Sequence, residues 1–266
     1  MATEYAGQEY WDERYRKSLE AGPAEERGPL FDWLCTCEDL IGYLPVGCLL
    51  EGCCILDLGC GNSILAEHIA ESHHLGQRTP ACVEAVDFSS IAMEAMAARA
   101  RPNLSKWLLQ YQVMDARMLT FRAGIFDVLI DKGCLDALLN EYDQEQWWRH
   151  CGSKGDCRYD GKASAKRGNQ LMAEVSRVLA PSNGVLILVS LEPPKGRMLF
   201  IDRPEYGWNV SVKEDEHGNY VYTATRVDKT QQFIEEHAEN TPKGTLDLKG
   251  ETVHAAHADF DFDELD

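Results

Sequence analysis

Short apolar runs alternate with stretches of helical periodicity along most of this 266-residue chain. CCILDL (53–58) is a continuous apolar run that ends at Gly59 and reads as a buried parallel strand. The next stretch, 63–72, spaces Ile64, Leu65 and Ile69 as a helix does. VEAV (83–86) is a second strand ending at Asp87, followed by an Ala- and Met-rich helix over 89–101 with Ser89 or Ser90 at its N-cap. WLLQYQV (107–113) ends near Met114 and Asp115, and FDVLI (126–130) ends at Asp131. A helix over 169–179, stopped by Pro181 and Gly184, leads into VLILVS (185–190). This alternation predicts a parallel sheet with helices on both faces. WNVSVKE and YVYTATRV then flank the polar turn DEHGN, which predicts an antiparallel hairpin. The expected fold class is α/β, with a seven-stranded, mostly parallel sheet ending in a C-terminal hairpin.

Three stretches depart from that grammar. Residues 1–50 read as a helical segment in which Tyr10, Trp11, Tyr15, Phe31 and Trp33 punctuate charged positions around the turn-rich GPAEERGP. Within the expected core, 51–227, the polar, glycine-punctuated stretch 141–168 reads as an inserted loop or lid. From 228 to 266 the periodicity is lost and the chain finishes HADFDFDELD, which predicts a disordered acidic tail.

Charge narrows the partners. With 26 Lys and Arg against 44 Asp and Glu, the formal net charge is −18. That argues against nucleic acid, whose binding requires cations on the protein, and favours a basic partner. No apolar run approaches the ~20 residues of a membrane span, and the N-terminus carries neither a secretory nor a mitochondrial targeting pattern. The expected location is cytoplasmic. The ten cysteines include adjacent and C-x-C pairs but no paired C-x-x-C units, so reduced thiols and no metal site are expected.

The strongest local signal is ILDLGCGNS (55–63): a strand ending in an acid, then Gly59 and Gly61, then a helix. Glycine lets backbone approach a ligand, and a helix N-terminus offers unpaired N–H groups. Ile64 stands where a dinucleotide fingerprint needs a third glycine or alanine, while Asp57 suits a cofactor with a cationic amino group. Asp87 ends the second strand, where a carboxylate can accept from both ribose hydroxyls. Asp115 ends the third, where it can accept from an adenine amino group while the Ala116 N–H donates to a ring nitrogen. Asp131 and Lys132, at the end of the fourth, would face the reacting end of the cofactor. Five parallel strands plus a hairpin form the class I Rossmann-like sheet of methyltransferases, whose cofactor S-adenosylmethionine carries a sulfonium cation. Aromatic faces attract cations, so Trp11, Tyr15 and Trp33 could close over the pocket and exclude water.

Taken in order, EYWDERY, FDWL, ILDLGCGNS, VDFSS, MDARML, FDVLIDKGCLDALL and EVSRVLAPSNGVLILVS resemble the methyltransferase-like family of elongation factor 1-alpha lysine methyltransferases, over about residues 9–227. The resemblance implies S-adenosylmethionine as cofactor, with contacts at Trp11, Tyr15, Trp33, Gly59, Asp87, Phe88, Asp115, Ala116 and Lys132. It also implies a protein-lysine acceptor on elongation factor 1-alpha or a similar basic protein. WWRH in 141–168, the segment 192–205 and the acidic tail depart from the family, which points to them as substrate-facing. Methyl transfer from a sulfonium is an in-line displacement that asks the protein mainly to hold an unprotonated nucleophile at attack distance. Asp131 is the one base the sequence suggests. Transfer to a small molecule or an N-terminal amine, and a catalytically silent cofactor-binding scaffold, are the rival readings.

Overall fold

The computed structural model describes residues 5–20, 32–44, 52–71, 82–100, 108–152, 157 and 159–227. Phe31, the GPAEERGP turn and the tail over 228–266 lie outside the described residues.

The seven strands are β1 (Cys54–Leu58), β2 (Cys82–Asp87), β3 (Leu109–Val113), β4 (Val128–Lys132), β5 (Val185–Ser190), β6 (Trp208–Glu214) and β7 (Tyr220–Arg226). They lie in the order β3-β2-β1-β4-β5-β7-β6. The first five are parallel, and β7 runs antiparallel to both β5 and β6. The sheet class and the hairpin are those the alternation predicts. Helices are α1 (Gln8–Glu20), α2 (Cys37–Tyr43), α3 (Leu65–Glu71), α4 (Ser90–Arg99), α5 (Cys134–His150), α6 (Gly161–Val178) and α7 (Pro194–Ile201).

Side chains alternate across a strand, so each central strand feeds two cores. Leu56, Leu58, Leu129, Leu186 and Leu188 pack with α5, α6 and α7 on one face. Ile55, Val128, Ile130, Ile187 and Val189 pack with α2, α3 and α4 on the other. Because both faces are covered there, the central strands β1, β4 and β5 read as nearly unbroken apolar runs rather than as alternating ones.

Most of the described part of 141–168 is helix rather than loop. Helix α5 continues to His150 and α6 begins at Gly161. The glycines were misleading, because at least one of them permits close packing between helices. A Cβ on Gly168 would stand 2.6 Å from Leu139 Cδ2, so only glycine lets α6 approach α5 there. Ser164 completes the contact, donating to the Leu138 carbonyl at 2.7 Å and accepting from the Tyr142 N–H at 3.2 Å. Helix α6 therefore starts well before the 169–179 segment that periodicity alone marks.

The strand order places a switch point between β1 and β4, where successive crossovers leave in opposite directions. A crevice opens at the carboxyl ends of strands at such a point.

Candidate active site

A cavity of about 430 Å³ occupies the crevice, within the usual range for small-ligand sites. In sheet order its wall runs from Asp115 after β3, to Asp87 at the end of β2, to Asp57 and the glycine turn at β1, and to Lys132 at β4. Phe88 and Ala116 line the same side, and Trp11, Tyr15 and Trp33 roof it. The structure thus brings together every residue that the sequence and the resemblance nominate as a cofactor contact.

Asp57 is 2% exposed, and its Oδ2 has no hydrogen-bond partner. Burial raises its pKa to about 7, against the nearby Lys132 charge, which lowers it. A buried carboxylate oxygen without a donor is costly unless a ligand supplies one. Asp87 is better satisfied. Its Oδ2 accepts from the Gly61 N–H at 3.1 Å and its Oδ1 from the Ser89 N–H at 2.8 Å. Burial still raises its pKa to about 6. Each oxygen retains a second lone pair. Ser89, as expected, caps α4 by accepting from the Ala92 N–H.

The glycine turn is built for close approach. Gly59 and Gly61 have φ of +66° and +54°, and a Cβ on Gly61 would lie 2.5 Å from the Tyr15 hydroxyl. Tyr15 therefore sits directly on the turn, with Trp11 stacked on it at 5.8 Å and 27° between ring planes. Trp33 meets Trp11 edge-on at 5.9 Å and covers Gly133, where a Cβ would be 2.7 Å from its ring. Tyr5, which the sequence reading passed over, lines the cavity and takes the Trp11 indole N–H on its carbonyl at 2.6 Å. The roof is pinned to the sheet by polar contacts. Lys132 Nζ lies 3.2 Å from Asp32 Oδ1, which also accepts from Ser63 Oγ at 2.6 Å, and Gln8 donates to the Phe88 carbonyl at 3.1 Å.

Asp115 lines the cavity with a partner that the sequence pattern does not reveal. Arg117 donates to it from its backbone N–H and from its guanidinium, the shortest contact being 2.6 Å to Oδ2. That side-chain hydrogen bond holds the carboxyl below its ordinary range.

Asp131 does not belong to the site. It is fully buried, and its carboxylate accepts from the Cys134 N–H at 2.8 Å and from the Leu135 N–H at 3.1 Å. It caps α5 and satisfies two donors that the helix start leaves open. Its pKa rises to about 7, chiefly through burial, and unlike Asp87 it does not line the cavity, so it has no access to a substrate there.

The wall beyond β4 draws on the 192–205 segment expected to face the substrate, and on α5 residues the sequence reading did not nominate. Asp136, Asn140, Asp143 and Gln144 from α5, Leu191 and Glu192 after β5, and Arg197 from α7 all line it.

A methyltransferase domain model matches residues 55–153. EEF1A lysine methyltransferase 4 of Bos taurus is 36% identical over 81% of this chain and 72% of its own length. The protein of the same name in Mus musculus is 31% identical over 78% of this chain and 69% of its own. The chain belongs to the EEF1A lysine methyltransferase family. It is an S-adenosylmethionine-dependent methyltransferase. A mitochondrial citrate synthase-lysine N-methyltransferase of Homo sapiens is 29% identical over 74% of this chain and 77% of its own length. Solved structures agree on the fold. A phosphoethanolamine N-methyltransferase 2 of Haemonchus contortus superposes with a TM-score of 0.53 at 13% identity, covering 84% of this chain and 60% of that one. The enzyme that converts a disulfide bond into a thioacetal group in echinomycin biosynthesis gives 0.51 at 17%, covering 88% and 99%.

The cavity of this methyltransferase fits its cofactor on two structural counts. The orphaned Asp57 oxygen matches a cationic amino group, and the Gly59–Gly61 turn, whose missing side chains leave room for Cys134 and Tyr15, lines the cavity with bare main chain.

Proposed function

We propose that this methyltransferase methylates a lysine side chain of elongation factor 1-alpha or of a similarly basic protein. One arrangement carries the reading: an unpartnered, buried Asp57 carboxyl beneath Trp11, Tyr15 and Trp33, in a chain whose relatives are named EEF1A lysine methyltransferase 4.

Bound in the cavity, S-adenosylmethionine supplies an electrophilic methyl group on a sulfonium. Asp57 accepts from the cofactor's amino group, and Gly59 and Gly61 let main chain approach it. Asp87 uses its free lone pairs on the ribose hydroxyls. Phe88 would line the cofactor, the Ala116 N–H would donate to its adenine, and Asp115 would accept from the adenine amino group. Trp11, Tyr15 and Trp33 exclude water and face the cation. Lys132 spends two of its three donors on Asp32 and the Trp33 carbonyl, holding the roof in place. The protein's task is to hold an uncharged amine in line with the methyl group, and removal from water favours that uncharged form.

The net charge of −18 supports a basic protein partner and no nucleic acid. The acidic residues beyond 227 act as an arm toward that partner, and the enzyme works in the cytoplasm. Transfer to a protein N-terminus is the second reading, favoured by the Danio rerio eEF1A lysine and N-terminal methyltransferase, 27% identical over 79% of this chain and 25% of its own length.

The deciding experiment incubates the purified chain with methyl-labelled cofactor and unmodified elongation factor 1-alpha, then maps the label by mass spectrometry. Label on a lysine is expected. Label found only on an α-amine, or none transferred, rejects the proposal. Added salt should lower turnover of the protein substrate while leaving S-adenosylhomocysteine affinity nearly unchanged, because exposed charges are screened over ~8 Å at physiological ionic strength.

A further inference from the structure

The part of the cavity beyond β4 has a composition that the cofactor does not explain. Following the sheet order, the nucleoside-facing acids lie toward β3 and β2, so the side toward β5 is left for the methyl acceptor. That side is built around Arg197, which is 0% exposed. Its guanidinium grips Asp143 through two nitrogens, at 3.0 and 2.7 Å. It also donates to Asp136 Oδ1, at 3.1 and 3.0 Å, and to Ser190 Oγ at 3.0 Å. One buried side chain on α7 thereby joins α5 to the end of β5. Asp136 is largely engaged in this joint, since its Oδ1 also accepts from Ser190 Oγ at 2.6 Å and its Oδ2 from the Leu191 N–H at 2.8 Å.

Glu192 is different. Its main chain is pinned on both sides, with its N–H donating to Ser190 Oγ at 3.1 Å and its carbonyl accepting from Tyr222 Oη at 2.7 Å. Its carboxylate lines the cavity, yet it has no hydrogen-bond or ion-pair partner among the described residues. Three carboxylates against one guanidinium leave this wall short of positive charge. Burial raises the Glu192 pKa and Asp143 adds to the effect, while the Arg197 charge lowers it only in part. Beside Glu192, Leu191 lines the same wall and is 58% exposed, giving an apolar surface next to an unmatched acid. An aliphatic stem with a cationic tip suits that pairing.

We propose that Glu192 receives the incoming acceptor side chain as its ammonium group, before the proton is lost and the amine is methylated, with Leu191 flanking its methylene stem, and that Arg197 is the positioning residue that holds this wall. The inference rests on the lysine-methyltransferase reading, and it adds the residue that admits a cation in preference to a neutral acceptor.

The test compares full-length wild type, Glu192→Gln and Glu192→Asp. S-adenosylhomocysteine affinity, by calorimetry, is expected to agree within about twofold across all three, which confirms folding and an intact cofactor wall. With elongation factor 1-alpha as substrate, Glu192→Gln should raise KM about tenfold or more, the order expected when one partner of a charge-assisted contact is removed, and Glu192→Asp should recover part of it. A second readout needs no turnover. n-Butylammonium should raise the melting temperature of the wild-type S-adenosylhomocysteine complex and not that of Glu192→Gln, while 1-butanol should affect neither. If wild type fails to methylate the factor but still responds to n-butylammonium through Glu192, the subsite stands and the proposed substrate falls. If the factor is methylated with an unchanged KM in Glu192→Gln, or n-butylammonium acts equally on both proteins or on neither, the assignment of Glu192 is overturned.

Discussion

Lys132 Nζ stands 3.2 Å from the Asp32 carboxylate and 3.2 Å from the Trp33 carbonyl, so the end of the fourth strand holds down the segment that carries the aromatic roof. The lysine side chain is 7% exposed and its partner 25%, which removes much of the solvent screening that weakens surface pairs. Lys132→Met should therefore loosen the roof, lowering S-adenosylhomocysteine affinity about tenfold or more by calorimetry. Asp32→Ala should reproduce most of that loss. A normal affinity in both variants would mean that the roof closes without this tie.

Asp57 makes cofactor binding pH-dependent. Its folded pKa of about 7 lies well above the ordinary carboxylate value, so near pH 6 the free enzyme holds a proton there. A cationic amino group placed against it favours the ionised form, so S-adenosylhomocysteine binding at pH 6 should release protons, and binding at pH 8 should not. Calorimetry in two buffers of different ionisation enthalpy reads the release directly, and Asp57→Asn should abolish it.

The same shifts set the pH dependence of stability. Asp57 and Asp131 titrate near 7, and Asp87 near 6, in the folded state. The folded protein thus binds protons that the unfolded chain releases near ~3.9. Their contribution is fully present below about pH 4 and is lost as pH rises through 6 to 7. Asp115, lowered by Arg117, acts in the opposite sense but in the acid range below its ordinary pKa. Without ligand the melting temperature should fall between pH 5 and pH 8, and the Asp57→Asn variant should show a shallower fall.

Gly61→Ala tests the turn. Its φ of +54° is unfavourable for alanine, and the added Cβ would stand 2.5 Å from the Tyr15 hydroxyl. The strain should cost about 1–3 kcal/mol, and displacement of Tyr15 should weaken S-adenosylhomocysteine binding more than the fall in stability would by itself. Equal affinity in a folded variant would show that Tyr15 can move without harm.

Asp131→Ala separates a cap from a base. Loss of the acceptor for the Cys134 and Leu135 N–H groups should cost about 1–2 kcal/mol of stability. Turnover per folded molecule and its pH profile should stay close to wild type. A hundredfold drop in kcat without a change in melting temperature would restore Asp131 as a catalytic group.

The sequence alone determined the parts of this protein that depend on neighbours along the chain. Buried parallel strands must be apolar on both faces, so the central β1, β4 and β5 appear as nearly unbroken apolar runs, and a tight turn onto a helix must carry Gly59 and Gly61. Strand-end acids stand out for the same local reason, which is why Asp57, Asp87 and Asp115 were legible and meet in one cavity. The tertiary structure alone decided what each acid faces. Asp131 and Asp57 look alike in sequence, as acids in or at the end of a buried strand, but one oxygen pair turns into the start of α5 and the other leaves an atom open to the cavity. Gly168 read as loop punctuation until packing against Leu139 showed it to be a helix contact. Arg197, 54 and 61 residues from the two carboxylates it joins, carries no local mark, because a partnership across three elements leaves no trace in spacing. Periodicity records which side of an element is dry. Only the packed chain determines which polar groups satisfy one another and which remain for a ligand.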